Sequence, residues 1–172
     1  MERAATPCPM RRGEGDEKSF ILAFVLLGMG GFATVAISAE DLAAAVKERR
    51  HLMKEVVAPA AKLGGQMVKG VKPFDAAAAA KAMNEINDVP DKYVKLFPKG
   101  TAHGEIADSE AKAKIWEDFS DFEATAMKLK DASAQAAAAA AQGEGAFTAA
   151  FNNMTKVCKD CHQTFREKIE EK

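Results

Sequence analysis

The sequence predicts an all-α chain folded as an antiparallel four-helix bundle, and three observations carry that prediction. Hydrophobic residues make up 48% of the chain, much of it alanine, while aromatics reach only 7% and proline occurs six times. That mix favours helix over the β-branched, turn-rich composition of a sandwich or barrel. In the longer stretches apolar positions recur at alternating steps of four and three, the seam of helices packing together. No segment shows the period-two alternation of a strand.

The 172 residues correspond to one domain preceded by a leader. Lys and Arg number 24 against 25 Asp and Glu, for a net charge of −1, so neither nucleic acid nor an anionic membrane surface is an expected partner. Phe20 to Ile37 form an uncharged apolar run preceded by Arg11, Arg12 and Lys18 and followed by Ser38 and Ala39. These are the parts of a secretory signal peptide over residues 1–39, with cleavage after Ala39. Glu14, Asp16 and Glu17 before the run and the bulky Ile37 depart from the usual pattern, and Met10 is an alternative start. The run is also just long enough for an uncleaved membrane anchor. Either way the domain at 40–172 is exported by the general secretory route. Cys8 leaves with the leader, so two cysteines remain.

The first helix is expected from Glu40 to Lys69, with the seam Leu42, Val46, Arg49, Met53, Val56, Ala60, Leu63, Met67. Pro59 should kink it, since proline removes one backbone bond, and Gly70 ends it. The second runs from Phe74 to Asp88, alanine-rich with Met83 and Ile86, and stops before Pro90. Lys92 to Asp108, with Pro98, Gly100 and Gly104, reads as a long connection. Ser109 is expected to cap the third helix, with Lys112 where a full capping box has an acid. Its seam is Ile115, Phe119, Phe122, Ala126, Leu129, with Trp116 alongside, and it extends through an alanine tract to Gln142. Gly143 and Gly145 break it. The fourth runs from Ala146 to about Ile169 on the seam Phe147, Phe151, Met154, Cys158, Cys161, Phe165. The tracts 76–80 and 136–141 either let helices approach closely, leave room for a flat group, or reflect plain helix propensity.

Cys158-Lys159-Asp160-Cys161-His162 is a C-x-x-C-H pentapeptide, the attachment motif of c-type haem. Residues three apart on a helix share a face, so both thiols reach the two vinyl groups of one porphyrin and form thioethers. The adjacent His162 then offers its imidazole to the iron as proximal axial ligand. The expected cofactor is therefore one covalent haem c with its iron. A thioredoxin-like dithiol would follow a strand, a zinc site needs four ligands, and a disulfide across a helical C-x-x-C would be strained and leave His162 unexplained. Export agrees with haem, because thioether attachment in bacteria belongs outside the cytoplasm; the expected location is the periplasm.

With this motif close to its C-terminus, the chain resembles the cytochrome c′ family, including the low-spin cytochrome c-556 branch. The resemblance also rests on Val46-Lys47-Glu48-Arg49 in the first helix, Leu96-Phe97-Pro98 in the connection, and Ile115-Trp116-Glu117-Asp118-Phe119 in the third helix, and continues from Cys158 through Arg166 in the fourth. It implies a haem-bearing four-helix bundle that often pairs as a homodimer through its first two helices. Arg49 breaks an apolar seam and needs an anion; the resemblance makes that anion a haem propionate, the other reading being an arginine that snorkels to solvent. Arg166, one turn beyond His162, corresponds to a basic residue near the proximal imidazole, or else simply favours the helix C-terminus. Met53 lies one turn after Arg49 on the same face. In the family this position governs the sixth iron site, so Met53 is either the second axial ligand or an apolar plug over the haem.

His51 and His103 read as surface residues. Phe119, Phe122, Phe151 and Phe165 read as haem-contacting core, and Met67, Met83, Met127 and Met154 as core filler. The first functional reading is a periplasmic electron carrier, not an enzyme, working with unidentified redox partner proteins. The second is a high-spin haem protein that binds nitric oxide or carbon monoxide at five-coordinate iron. A haem-free dithiol redox enzyme is the third.

Overall fold

The first bundle helix starts at a capping box. In the computed structural model, which describes residues 38–167, the Ser38 hydroxyl accepts from the Asp41 amide and the Asp41 carboxylate accepts from the Ser38 amide, both at 3.1 Å. Most of the leader read over residues 1–39, and the end of the fourth helix beyond 167, lie outside the described residues. Helix α1 (Ala39–His51) runs into a π turn (Leu52–Val57) and on into α2 (Ala58–Val68). The break expected at Pro59 is thus a change of helical type. The Ala58 amide donates to the Met53 carbonyl five residues back, a π pattern that accommodates a residue lacking its own N–H. The buried stripe changes with it: Leu52 is buried, whereas Met53 and Val56, placed on the seam by their spacing, are only half-buried.

Asp75 caps α3 (Ala76–Asn87), its carboxylate accepting from the Ala78 amide at 3.0 Å. The connection contains the one-turn α4 (Pro90–Tyr93) and a 3₁₀ turn at Val94–Leu96. Ser109 does not cap the third helix. That helix is divided into α5 (Lys114–Glu117) and α6 (Phe119–Ala140) by Asp118, whose carboxylate accepts from the Asp121 amide at 3.0 Å and the Ser120 hydroxyl at 2.7 Å. An aspartate satisfies the free amides of a first turn well, so the cap falls nine residues later than expected. Gly143, at φ +104°, turns the chain into α7 (Glu144–Phe165) in a backbone region open to glycine.

The first helix, α3, α6 and α7 form the bundle, with α6 packed against both α3 and α7. Ala79, Ala136 and Ala140 are fully buried, so part of each alanine tract serves close packing. No strand occurs among the described residues; the nearest to one is an isolated antiparallel bridge between Ala111 and Arg166. No described helix is long and apolar enough to cross a membrane.

The core has two parts. One gathers Met67, Met83, Ile86, Phe147, Phe151 and Met154, and the other Val94, Phe97, Ile115, Phe122 and Phe165. In the first part Gly64 is buried, and a Cβ there would stand 2.5 Å from Phe151 Cε2 and 3.2 Å from Met83 Cε. Overpacking of this kind costs about 1–3 kcal/mol, against about 1 kcal/mol returned by alanine's better helix propensity. Gly64→Ala is therefore expected to lower the melting temperature measured by far-UV circular dichroism, although the same change on an exposed helix face raises it.

Candidate functional site

A cavity of about 330 Å³ opens beside the second core cluster. Its walls come from the first helix (Arg49, Arg50, Met53, Lys54, Val57, Ala58, Ala61), the connection and third helix (Tyr93, Phe97, Glu110, Ala111, Ile115, Phe122), and the last two turns of α7 with the residue after them. That last wall supplies Cys158, Cys161, His162, Phe165 and Arg166. Arg49, Met53, Cys158, Cys161, His162 and Arg166, singled out in the sequence, all border this one space.

The seam of α7 turns Cys158 and Cys161 inward, half-buried and unpaired. Burial pushes both thiols above the usual range, Cys161 to about 11 with the neighbouring Cys158 adding to the shift. Their place near the helix C-terminus gives no help to a thiolate. Thiols held protonated are poor redox nucleophiles, which runs against the dithiol enzyme. Burial also lowers the His162 imidazole's proton affinity, Arg166 lowers it further, and Glu110 opposes. The balance shifts the imidazole toward its neutral form, the one able to donate a lone pair.

Arg49 is 4% exposed and its guanidinium lies 4.6 Å from the Phe97 ring centre. Nη1 donates to the Thr101 hydroxyl at 3.1 Å and the Leu96 carbonyl at 3.4 Å; Nη2 donates to the Thr101 carbonyl at 2.7 Å and the Ser109 hydroxyl at 2.6 Å. The Ser109 hydroxyl in turn donates to the Thr101 carbonyl at 2.7 Å. The residue read as a helix cap therefore anchors a buried cation. Burial depresses the proton affinity of Arg49, and among the described residues no carboxylate forms an ion pair with it. A buried positive charge beside a cavity fits an anionic group on whatever fills that cavity.

At the other edge Arg166 Nε pairs with Glu110 at 2.5 Å. The Glu167 amide donates to the Glu110 carbonyl at 2.7 Å, and the Lys112 amide to the Phe165 carbonyl at 2.9 Å. These bonds fasten the end of α7 to the connection. Phe122 meets Phe97 and Phe165 edge-on, with ring centres 4.6 and 5.3 Å apart, giving an apolar wall.

Two expectations fail here. Phe119 is 38% exposed, because the break at Asp118 puts it on the solvent side. Phe151 belongs to the other core cluster, two helical turns before Cys158 and about 10 Å along the axis. His51 and His103 are exposed and do not border the cavity. Tyr93, Glu110, Thr101 and Ser109 went unread as site residues. Tyr93 alone left a trace, one turn before the quoted Phe97, against which it packs edge-on at 5.1 Å.

Two inward thiols and a neutral imidazole on one helix, a thioether on another, apolar walls and an unneutralised cation fit a covalently held haem. The comparisons agree. A family model described as Cytochrome C′ matches residues 44–166. Cytochrome c-556 of Agrobacterium fabrum is 36% identical over 138 residues, covering 80% of this chain and 90% of that protein. A solved cytochrome c′ from Rhodobacter sphaeroides superposes with a TM-score of 0.69 at 30% identity, covering 74% of this chain and 98% of the other. A nitric oxide complex of a variant of cytochrome c prime from Alcaligenes xylosoxidans gives a TM-score of 0.64 at 27% identity, with 74% and 97% covered. With the match spanning most of the domain, the chain belongs to the cytochrome c′ family of c-type cytochromes, whose cofactor is covalent haem c.

Proposed function

We propose that the protein is a periplasmic electron carrier holding one haem c through Cys158 and Cys161, with His162 and Met53 as the two axial ligands. One observation carries this reading: the thioether of Met53 borders the same cavity as the C-x-x-C-H residues of α7. When bound, the haem supplies an iron that passes one electron between ferric and ferrous states. Cys158 and Cys161 would hold the haem through thioether bonds to its two vinyl groups. The neutral imidazole of His162 donates its lone pair, and the sulfur of Met53 favours the ferrous state and raises the potential. Phe97, Ile115, Phe122 and Phe165 exclude water. Arg49 offsets a propionate, and Arg166, held by Glu110, adjusts the basicity of His162. Export rests on the leader read over residues 1–39, the carrier's partner is another redox protein, and a homodimer through the first two helices belongs to the same reading.

Gas binding at five-coordinate iron is the competing function, favoured by the nitric oxide complex of the Alcaligenes relative. Spin state separates the two. The ferric protein is expected to be low-spin with a methionine-to-iron charge-transfer band, and Met53→Leu is expected to abolish that band and yield high-spin iron. High-spin iron in the unmodified protein, with ready uptake of nitric oxide or carbon monoxide, would establish the gas-binding function instead.

A further inference from the structure

We propose that Pro59, through the π turn it enforces, is the positioning residue that keeps Met53 facing the cavity; this rests on the reading of Met53 as the residue over the iron. The cavity-facing residues of the first helix are Arg49 and Arg50, Met53 and Lys54, Val57 and Ala58, then Ala61. They recur at steps of four. In a regular α-helix four residues overshoot one revolution by about 40°, so three such steps carry a stripe about 120° around the helix and off a flat wall. A π turn takes more residues per revolution and removes part of that drift. Here it occupies Leu52–Val57, between the Arg49 and Ala61 ends of the stripe, and its diagnostic bond runs from the Ala58 amide to the carbonyl of Met53 itself.

Pro59 gives the turn a cause. In an uninterrupted α-helix its ring would crowd the Glu55 carbonyl, and it offers that carbonyl no N–H. Widening the preceding turn relieves the crowding. Glu55 and Pro59 both lie on the exposed side, so the freed carbonyl can turn to water. Pro59 itself is not among the cavity-lining residues, so any effect of replacing it on the haem must pass through the helix.

The test is Pro59→Ala in the haem-loaded protein, with all methionine methyl groups isotopically labelled for NMR in the reduced state. The Met53 methyl, identified as the resonance lost in Met53→Leu, is expected far upfield in the unmodified protein, where the porphyrin ring current acts on it. Pro59→Ala restores an N–H and a strong helix former, so the melting temperature is expected to hold or rise. The Met53 methyl is expected to lose its upfield displacement, and ferric iron is expected to move toward the high-spin state. An undisplaced Met53 methyl in the unmodified protein would overturn the placement of Met53 and this inference together. A displaced methyl left unchanged by Pro59→Ala would overturn the role of Pro59 alone.

Discussion

Replacing Cys158 and Cys161 together by alanine is expected to give a protein from which acidified organic solvent strips all haem, and whose haem-free form melts at a much lower temperature. The unmodified protein should keep its haem through the same extraction, because thioethers do not dissociate. The stability loss has a stated upper scale. Emptied apolar cavities in protein interiors cost about 24 cal/mol per Å³, so 330 Å³ corresponds to at most about 8 kcal/mol, reduced by whatever water enters through the open side. Even half of that, about 4 kcal/mol, is a large share of the stability of an ordinary domain, about 5–15 kcal/mol. The haem-free variant should therefore retain helical far-UV ellipticity in the cold while its melting transition moves to a much lower temperature. Haem that still resisted extraction would show that these thiols do not hold the cofactor, and an unchanged melting curve in the haem-free form would show that the bundle does not depend on it.

Arg49→Met is expected to produce the second largest effect, a destabilisation of about 3 kcal/mol. The apolar stem keeps most of the volume, so the loss reports on the guanidinium. Removing it leaves the Leu96 carbonyl without this donor and weakens the anchoring of Thr101 and Ser109. The damage should be local. Amide hydrogen exchange is expected to accelerate most between residues 96 and 111, the segment held by this side chain, while α3 and α6 are protected until global unfolding. Arg49→Lys keeps the charge without the planar fork and should recover only part of the stability. Uniform acceleration across the bundle, or none in the connection, would contradict the anchoring role.

The fold and the cofactor chemistry were legible in the sequence because both depend on local order. Helical spacing needs no knowledge of partners: the stripe through Phe147, Met154, Cys158 and Phe165 is a property of α7 alone, and it already put the two thiols inward. The C-x-x-C-H spacing, which carries the haem c reading, is likewise complete within five residues. Arg49 could be singled out as a charge on an apolar seam for the same reason.

What surrounds Arg49 was beyond reach. Its partners lie 47 to 60 residues away in the connection, and a polar serine such as Ser109 reads equally well as a helix cap until the loop is folded back. Asp118, not Ser109, begins the long third helix: its carboxylate accepts from the Asp121 amide, while the Ser109 hydroxyl is engaged by Arg49 and the Thr101 carbonyl. Local spacing assumes 3.6 residues per turn throughout, so it put Val56 on the buried stripe and passed over Leu52, although it placed Met53 correctly on the side that borders the cavity. The π turn ahead of Pro59 breaks that assumption. Nothing local marks Gly64, because its lack of a Cβ matters only through Phe151 packed against it. The local signals determined which groups this protein brings to the cavity. Only the tertiary structure decided how they are oriented and anchored, because those outcomes depend on contacts between segments far apart in the chain.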